Sequence, residues 1–421
     1  MKKIIKNTFT MLSLVGALLS NTNKVFAQDE GYIYGQVVMV NGEKFTGQLR
    51  WGKEEAFWTD LFNSQKPENQ FLKYVDKKDL KWYEKLERYT DDESIDWKRD
   101  FMSIWDNNWD FANSHTFACR YGDIEVMKVR GDDEVILKFK NGEQFRLEGG
   151  SNDVDEDIFV YDEELGKVEL DWDRIEEIRF LPTPSQLKSK AGEPLYGRVK
   201  TFRKGIFEGF IQWDHEECVS SDKLDGDSNN GKMSIEMGNI RSITSEKRGC
   251  KVVLKSGREV YLDGSNDVNA DNRGIVVKNE DYGRVLIEWR EFESIEFIDT
   301  KSSGIGYKDF PAPKFLEATI KTIDNKEHTG KIIYDLDEYL DIEVLDGKDD
   351  GLEYKIPFQK IKKITPKNHS YSKIQLKSGA EILLGDIQDV TESNDGILVY
   401  SNKPEDGKVI KWADIEEIIF K

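Results

Sequence analysis

Apolar and polar residues alternate over runs of four to seven positions along most of this chain, as in Lys251-Val-Val-Leu-Lys and Arg284-Val-Leu-Ile-Glu-Trp. A period of two places successive side chains on opposite faces of an extended chain, so the runs predict short β-strands. Gly, Asn and Asp separate them where hairpins need positive φ or side-chain turns.

The strand pattern recurs at long, regular spacing. Val252-Val-Leu-Lys-Ser-Gly257 is followed by Gly264-Ser-Asn-Asp-Val268, Gly274, Gly283, Trp289 and Phe292-Glu-Ser-Ile295. The same order appears earlier as Val135 to Gly142, Gly150-Ser-Asn-Asp-Val154, Gly166, Trp172 and Ile175-Glu-Glu-Ile178. It appears again as Ile374 to Gly379, Gly385-Asp-Ile-Gln-Asp-Val390, Gly396, Gly407, Trp412 and Ile415-Glu-Glu-Ile418. Upstream of each lies a second pattern: Gly47-Gln-Leu-Arg-Trp51, Gly209-Phe-Ile-Gln-Trp213 and Gly330-Lys-Ile-Ile-Tyr334, each leading into an acidic pair. Those halves close on Ile124-Glu-Val-Met127, Ile240-Arg-Ser-Ile243 and Ile361-Lys-Lys-Ile364. Self-similarity of this kind predicts an array of one structural unit. Here it predicts six small modules in three pairs.

Four or five short strands in about 50 residues bury their apolar face by curling into a small barrel, which also limits exposed edges. The order of apolar strand, Gly-bearing hairpin, bent strand, Asp-containing turn and a last strand after Ile-x-x-Ile resembles the Sm-like and SH3-like small barrels. That resemblance implies a mainly β fold of three tandem copies, each a pair of small barrels. The Asp-x-x-Met-Asn and Arg-Gly elements with which Sm proteins hold RNA are missing at the matching turns, so no RNA function is carried over. The expected partition is a signal segment at 1–27, a first copy at 28–180, a linker at 181–192, a second copy at 193–297, a linker at 298–313 and a third copy at 314–421. Proline with small polar residues predicts short, stiff linkers.

The first copy carries an insertion at about 56–114 that the others replace with a short loop. Its stretches 78–88 and 94–108 have helical spacing, with Trp97, Phe101, Trp105 and Trp109 at steps of four. Together with Trp58 and Trp82 these aromatics are the candidate binding residues, because large rings concentrate at binding hot spots. The plainer reading is a helical lid over the first barrel pair.

Charge narrows the partners. The chain of 421 residues has a formal net charge of −20. Lys2, Lys3 and Lys6, an apolar run to Leu19 and small residues ending in Ala27 form a secretory signal pattern, cleaved after Ala27. Its loss removes four lysines and moves the charge to −24. Such a surface repels phosphate backbones, which excludes nucleic acid as the expected partner. No later segment has the ~20 apolar residues of a spanning helix, and the strands are shorter than the ~9–11 residues an outer-membrane strand needs.

Candidate chemistry is sparse. Asp153, Asp155 and Asp157, and likewise Asp267, Asn269 and Asp271, place alternate oxygens in a turn as calcium loops do, but lack the Gly and Glu that complete an EF-hand. The plainer reading is turn capping. Trp213-Asp-His215-Glu-Glu-Cys218 gathers metal-type ligands, yet alternation in a strand makes His215 and Cys218 diverge. Cys119 aligns with Ile235 and Ile356 as a small buried residue; Cys218 and Cys250 are either a disulfide or free buried thiols. Trp172, Trp289 and Trp412 read as core or module-interface residues. No phosphate loop, nucleophile elbow or zinc-protease helix occurs, and no motif requires a cofactor. The expected function is therefore an exported, non-enzymatic binding or scaffold protein of the cell envelope or exterior, partnered by a protein or a glycan. The alternatives are a carbohydrate-binding protein stacking sugars on rings such as Trp51, Trp213 and Tyr334, and a hydrolase with its site at the insertion.

Overall fold

The computed structural model describes residues 28–67, 69–75, 116–149 and 153–421. The predicted signal segment and the predicted helices at 78–88 and 94–108 lie outside the described residues, as do Trp82, Trp97, Phe101, Trp105 and Trp109. The described chain is mainly β, every strand pair is antiparallel, and no described helix exceeds one 3₁₀ turn.

Among the described residues thirty strands fall into three stretches of ten. The first holds β1 Tyr34–Met39, β2 Lys44–Trp51, β3 Leu61–Gln65, β4 Thr116–Arg120, β5 Ile124–Val129, β6 Glu134–Phe139, β7 Gln144–Glu148, β8 Ile158–Asp162, β9 Gly166–Leu170 and β10 Ile175–Phe180. The second holds β11 Tyr196–Thr201, β12 Ile206–Trp213, β13 Lys223–Ser228, β14 Gly231–Glu236, β15 Ile240–Glu246, β16 Gly249–Leu254, β17 Glu259–Leu262, β18 Ile275–Asn279, β19 Gly283–Ile287 and β20 Phe292–Phe297. The third holds β21 Glu317–Thr322, β22 Glu327–Ile333, β23 Val344–Lys348, β24 Leu352–Pro357, β25 Ile361–Pro366, β26 Tyr371–Leu376, β27 Glu381–Gly385, β28 Ile397–Tyr400, β29 Lys408–Ile410 and β30 Ile415–Phe420.

One pairing scheme serves all three stretches. The first strand lies between the second and tenth, the second also pairs with the eighth, and the eighth with the ninth. The fifth lies between the sixth and tenth, the sixth also pairs with the seventh, and the third pairs with the fourth.

This corrects the expectation that each sequence half pairs within itself. The closing strand of the second half, β10, sits between β1 and β5 of the first half, with Ile178 opposite both Val37 and Met127. Ile295 lies likewise between Val199 and Ile243, and Ile418 between Ile320 and Ile364. Each half alone would leave an apolar edge open, and the tenth strand fills that edge from the other half.

The stretches also share their interiors. One apolar core runs through the second and third, and another joins the first to Ile333, Leu336, Leu340 and Leu398 of the third. Strand pairing continues between stretches where β19 meets β24. The segments expected to be spacers are packed into the first stretch. Tyr307 and Phe310 are buried, the Tyr307 hydroxyl donates to the Ile124 carbonyl, and Ala191 N–H donates to Gln48 Oε1. Gly31 is required here, because a Cβ would stand 2.0 Å from the Ser303 carbonyl oxygen.

A carboxylate stands at one place in each stretch, buried at Asp60 and Glu343 and largely covered at Asp222. Asp60, Asp222 and Glu343 each accept two consecutive backbone N–H groups, from Ala56 and Phe57, Cys218 and Val219, and Tyr339 and Leu340. The other oxygen of each meets a cation from another stretch: Lys278 on Asp60, Arg50 on Asp222 at 2.7 Å, and Lys66 on Glu343 at 2.6 Å. The first two contacts are reciprocal. Arg50 precedes Trp51 on β2 as Gln212 precedes Trp213 on β12, whereas Lys278 on β18 occupies the place of Tyr161 on β8. The cation has changed strand between the two partners while its target has stayed.

The third stretch carries Ile333 and Tyr400 at those two places and receives its cation from the start of the insertion. Lys66, Asn69 and Phe71 lie on the third stretch, with the Asn69 amide donating to the Leu336 carbonyl at 2.7 Å and Phe71 edge-on to Tyr339. Lys66, Asn69 and Phe71 thus reach the third stretch, while Trp58 and β3 of the same insertion stay in the first; the predicted lid helices lie outside the described residues.

Removing one partner of a buried, hydrogen-bonded ion pair costs about 3–5 kcal/mol, because the remaining charge stays desolvated. Lys278→Met should lower the stability in urea by that amount, and Lys278→Met with Asp60→Asn should recover most of it. Equal losses in the single and double variants would show that the pair is not coupled.

Candidate functional site

Asp153, Asp267 and Asp389 each form a latch. Trp51, Trp213 and Tyr334 at the ends of β2, β12 and β22 are fully buried. Their polar atoms donate to one backbone carbonyl each: Trp51 Nε1 to Asp153 at 2.8 Å, Trp213 Nε1 to Asp267 at 2.9 Å, and the Tyr334 hydroxyl to Asp389 at 2.5 Å. The carboxylates of the same three aspartates accept the backbone N–H groups of Asn63, Asp225 and Asp346 at 2.5, 2.7 and 2.7 Å. One residue therefore ties a loop to a core aromatic through its backbone and to the third strand through its side chain.

The same geometry places the candidate calcium ligands. Asp153 and Asp267 are buried and spend carboxylate oxygen on backbone N–H groups, while Asp155 and Asp157 are exposed. Asn269 turns its oxygen to the Asp271 N–H at 2.7 Å. Among the described residues no three His, Cys, Asp or Glu side chains converge as metal ligands.

The acidic pairs after the latch aromatics fold back on the strand. Trp51 N–H donates to the Glu55 carbonyl, Trp213 to Glu217 and Tyr334 to Glu338, closing a tight turn. Asp214 and His215 take φ of 49° and 64°, and Asp335 and Leu336 take 48° and 57°. Two consecutive positive φ angles are the geometry of the hairpin turn that matches strand twist. Burial, reinforced by the neighbouring Asp153, Asp267 or Asp389, holds the carboxyls of Glu55 and Glu338 well above the usual range and pushes Glu217 up to about 9. Burial also raises Asp153 to about 7 and Asp389 to about 8. These are paired acids facing the interior.

His215 and Cys218 do not form a reactive pair. Burial, with Arg284, Arg273 and Lys278 nearby, pushes the His215 imidazole down to about 3, and burial keeps the Cys218 thiol protonated. Cys119, Cys218 and Cys250 are free and buried. Cys119 lies opposite Phe62 as Ile235 lies opposite Leu224 and Ile356 opposite Leu345, which is the register expected from sequence. Cys218 takes the place of Ala56 in the contact between the first two stretches.

The recurring tryptophans pack on the latch. Trp172 lies 6.0 Å from Trp51, Trp289 6.1 Å from Trp213 and Trp412 6.2 Å from Tyr334, all edge-on. Trp58 is fully buried, and its Nε1 donates to Thr183 Oγ1 at 2.9 Å. Trp51, Trp58, Trp213 and Tyr334 therefore present no face for sugar stacking.

What the surface does repeat is an apolar tip. Val40, Phe202 and Ile323 occupy the same place, at the hairpin between the first and second strands of each stretch, and are 64, 58 and 64 % exposed. Each tip is pinned through its backbone: Val40 N–H donates to the Arg174 carbonyl, Phe202 to Glu291 and Ile323 to Asp414. The acceptors sit on the one-turn helices of Trp172, Trp289 and Trp412, so the helices that carry the recurring tryptophans also hold the tips. Sequence reasoning missed them because an isolated apolar residue in a turn breaks no rule. The available signal was an apolar residue at three matching turns.

A recess of about 310 Å³ opens on the first stretch between Val126, Lys128, Ile136, Lys138, Glu177 and Arg179. Glu177 and Glu125 already pair with its cations, and Thr244, Val253 and Glu296 replace those cations at the matching places in the second stretch. The recess is a local feature of one stretch.

Comparison with protein-family models, with curated proteins and with solved structures finds no match to this chain.

The raised Glu217 gives a stability test. Its folded value of about 9 lies above the unfolded value near 4.5, so the fold favours the protonated form. That contribution is complete below pH 4.5 and is lost as pH rises toward 9. Glu217→Gln, which cannot ionise, should match the wild type in melting temperature at pH 4 and exceed it at pH 8–9. A difference that does not vary with pH would contradict the assignment.

Proposed function

We propose that this chain is an exported, non-enzymatic binding scaffold built of three tandem copies of an intertwined pair of small Sm-like or SH3-like barrels. In this reading the segment 1–27 is removed on export, and the mature protein works in the cell envelope or outside the cell. The strand orders support the barrel assignment. In each copy the sequence 10-1-2-8-9, with a one-turn helix before the tenth strand, follows small-barrel order. The other five follow the same order starting from a different strand, 5-6-7-3-4 in the first and third copies, with a one-turn helix before the fifth; in the second copy β13 and β14 form a separate hairpin that meets the segment after β17 through the Asp227–Asp263 bridge. One barrel is thus a rearranged copy of the other, inserted between its second and third strands.

The observation that carries the binding role is the trio of exposed tips, Val40, Phe202 and Ile323. A single exposed apolar residue needs no explanation, but the same exposed place kept apolar in three copies does. Rigid presentation lowers the ordering cost of docking, and three tips on one body let a repetitive or multi-site partner, protein or glycan, bind with avidity.

Aspartate at all three tips should leave the melting temperature unchanged, since the side chains lie in solvent. The triple variant should bind material from an envelope extract about 100-fold less tightly than the wild type, and each single variant should lose about tenfold or less. Unchanged capture by the triple variant would remove the tips from the binding surface.

A further inference from the structure

The junction between β19 and β24 shows how two stretches join edge to edge. Arg284 lies opposite Lys355, Val285 opposite Tyr354, Leu286 opposite Glu353 and Ile287 opposite Leu352. The strands matching β19 are β9 and β29, and those matching β24 are β4 and β14. The β4 edge is covered by the third stretch, where Ala118 packs with Val344. Among the described residues no strand pairs with the outer edge of β9 or β14. The first stretch thus offers the β19 half of this junction, and the second offers the β24 half.

Placing β9 beside β14 in the register of the existing junction sets Val168 opposite Met233, Glu169 opposite Lys232 and Leu170 opposite Gly231. The apolar rung matches Val285 and Tyr354, which are buried in the existing junction. Val168 and Met233 are only half-buried, as expected of the same rung lacking its neighbour. The charged rung is complementary, and both Glu169 and Lys232 are exposed. The other open edge, β29, fits worse: the same register puts Lys408 against Met233 and Val409 against Lys232.

We infer that a second copy of this chain binds by edge pairing, β9 of one molecule adding antiparallel to β14 of the next. The contact uses different surfaces on the two copies, so each bound molecule leaves one of each edge open and association continues into rings or filaments. Main-chain hydrogen bonds supply the attraction, as in strand addition generally, and the Glu169–Lys232 rung fixes register against the repulsion between acidic copies. The inference is independent of the partner taken by the apolar tips.

The test is sedimentation or light scattering of the full chain from micromolar to millimolar concentration. The wild type should grow in mass with concentration. Glu169→Lys or Lys232→Glu, each placing like charges in the rung, should weaken association about tenfold. The two reversals combined should restore it. Both side chains are exposed, so melting curves should confirm intact folding in every variant. A monomer at all concentrations, association indifferent to either single reversal, or a double variant no better than the singles would each overturn the proposal.

Discussion

Asp60, Asp222 and Glu343 hold this architecture together because each carboxylate serves two masters at once. One oxygen caps consecutive N–H groups of a loop that strand pairing leaves unsatisfied, and the other meets a cation from a different part of the chain. A loop of this kind cannot be buried unless its N–H groups find acceptors. A charged acceptor cannot in turn be buried unless a counter-charge arrives. The local need for an acceptor thereby becomes a long-range need for a neighbour, and the three stretches act as one body.

The latch works on the same principle within a single stretch. Asp153, Asp267 and Asp389 connect a core aromatic, a loop and a strand, and the tryptophans packed edge-on against those aromatics belong to the one-turn helices to which the apolar tips are bonded. The polar groups of the latch hold those helices, and with them the surface turns, in place. The described surface has two kinds of feature: apolar tips that recur with the stretches, and open strand edges that differ between them.

Much of the β character was legible in the sequence, since alternation and punctuating glycines are local signals. The register of Cys119 against Ile235 and Ile356 could also be read directly. Partner choice among strands could not. The closing Ile-x-x-Ile segments are so similar that nothing local says β10 pairs with β1 and β5 instead of within its own half. The latch aspartates were visible as a motif but not as a latch, because a turn that binds a cation and a turn that binds a backbone N–H use the same oxygens. Asp60, Asp222 and Glu343 were missed although each follows the second member of its acidic pair by five residues. In a chain with 81 acidic residues, such a spacing does not stand out.

The ion pair of Lys66 with Glu343 spans 277 residues. Any process that handles the chain from its first residue onward, synthesis or export, releases the lysine long before its carboxylate. At about 5–20 residues per second the wait is roughly 15–60 s. During that interval the start of the insertion has no seat, and its apolar neighbours Phe71 and Val75 are uncovered. Maturation of the first-made part is therefore gated by the last-made part. A nascent or truncated chain would leave Phe71 and Val75 among the apolar residues open to proteases and holding factors.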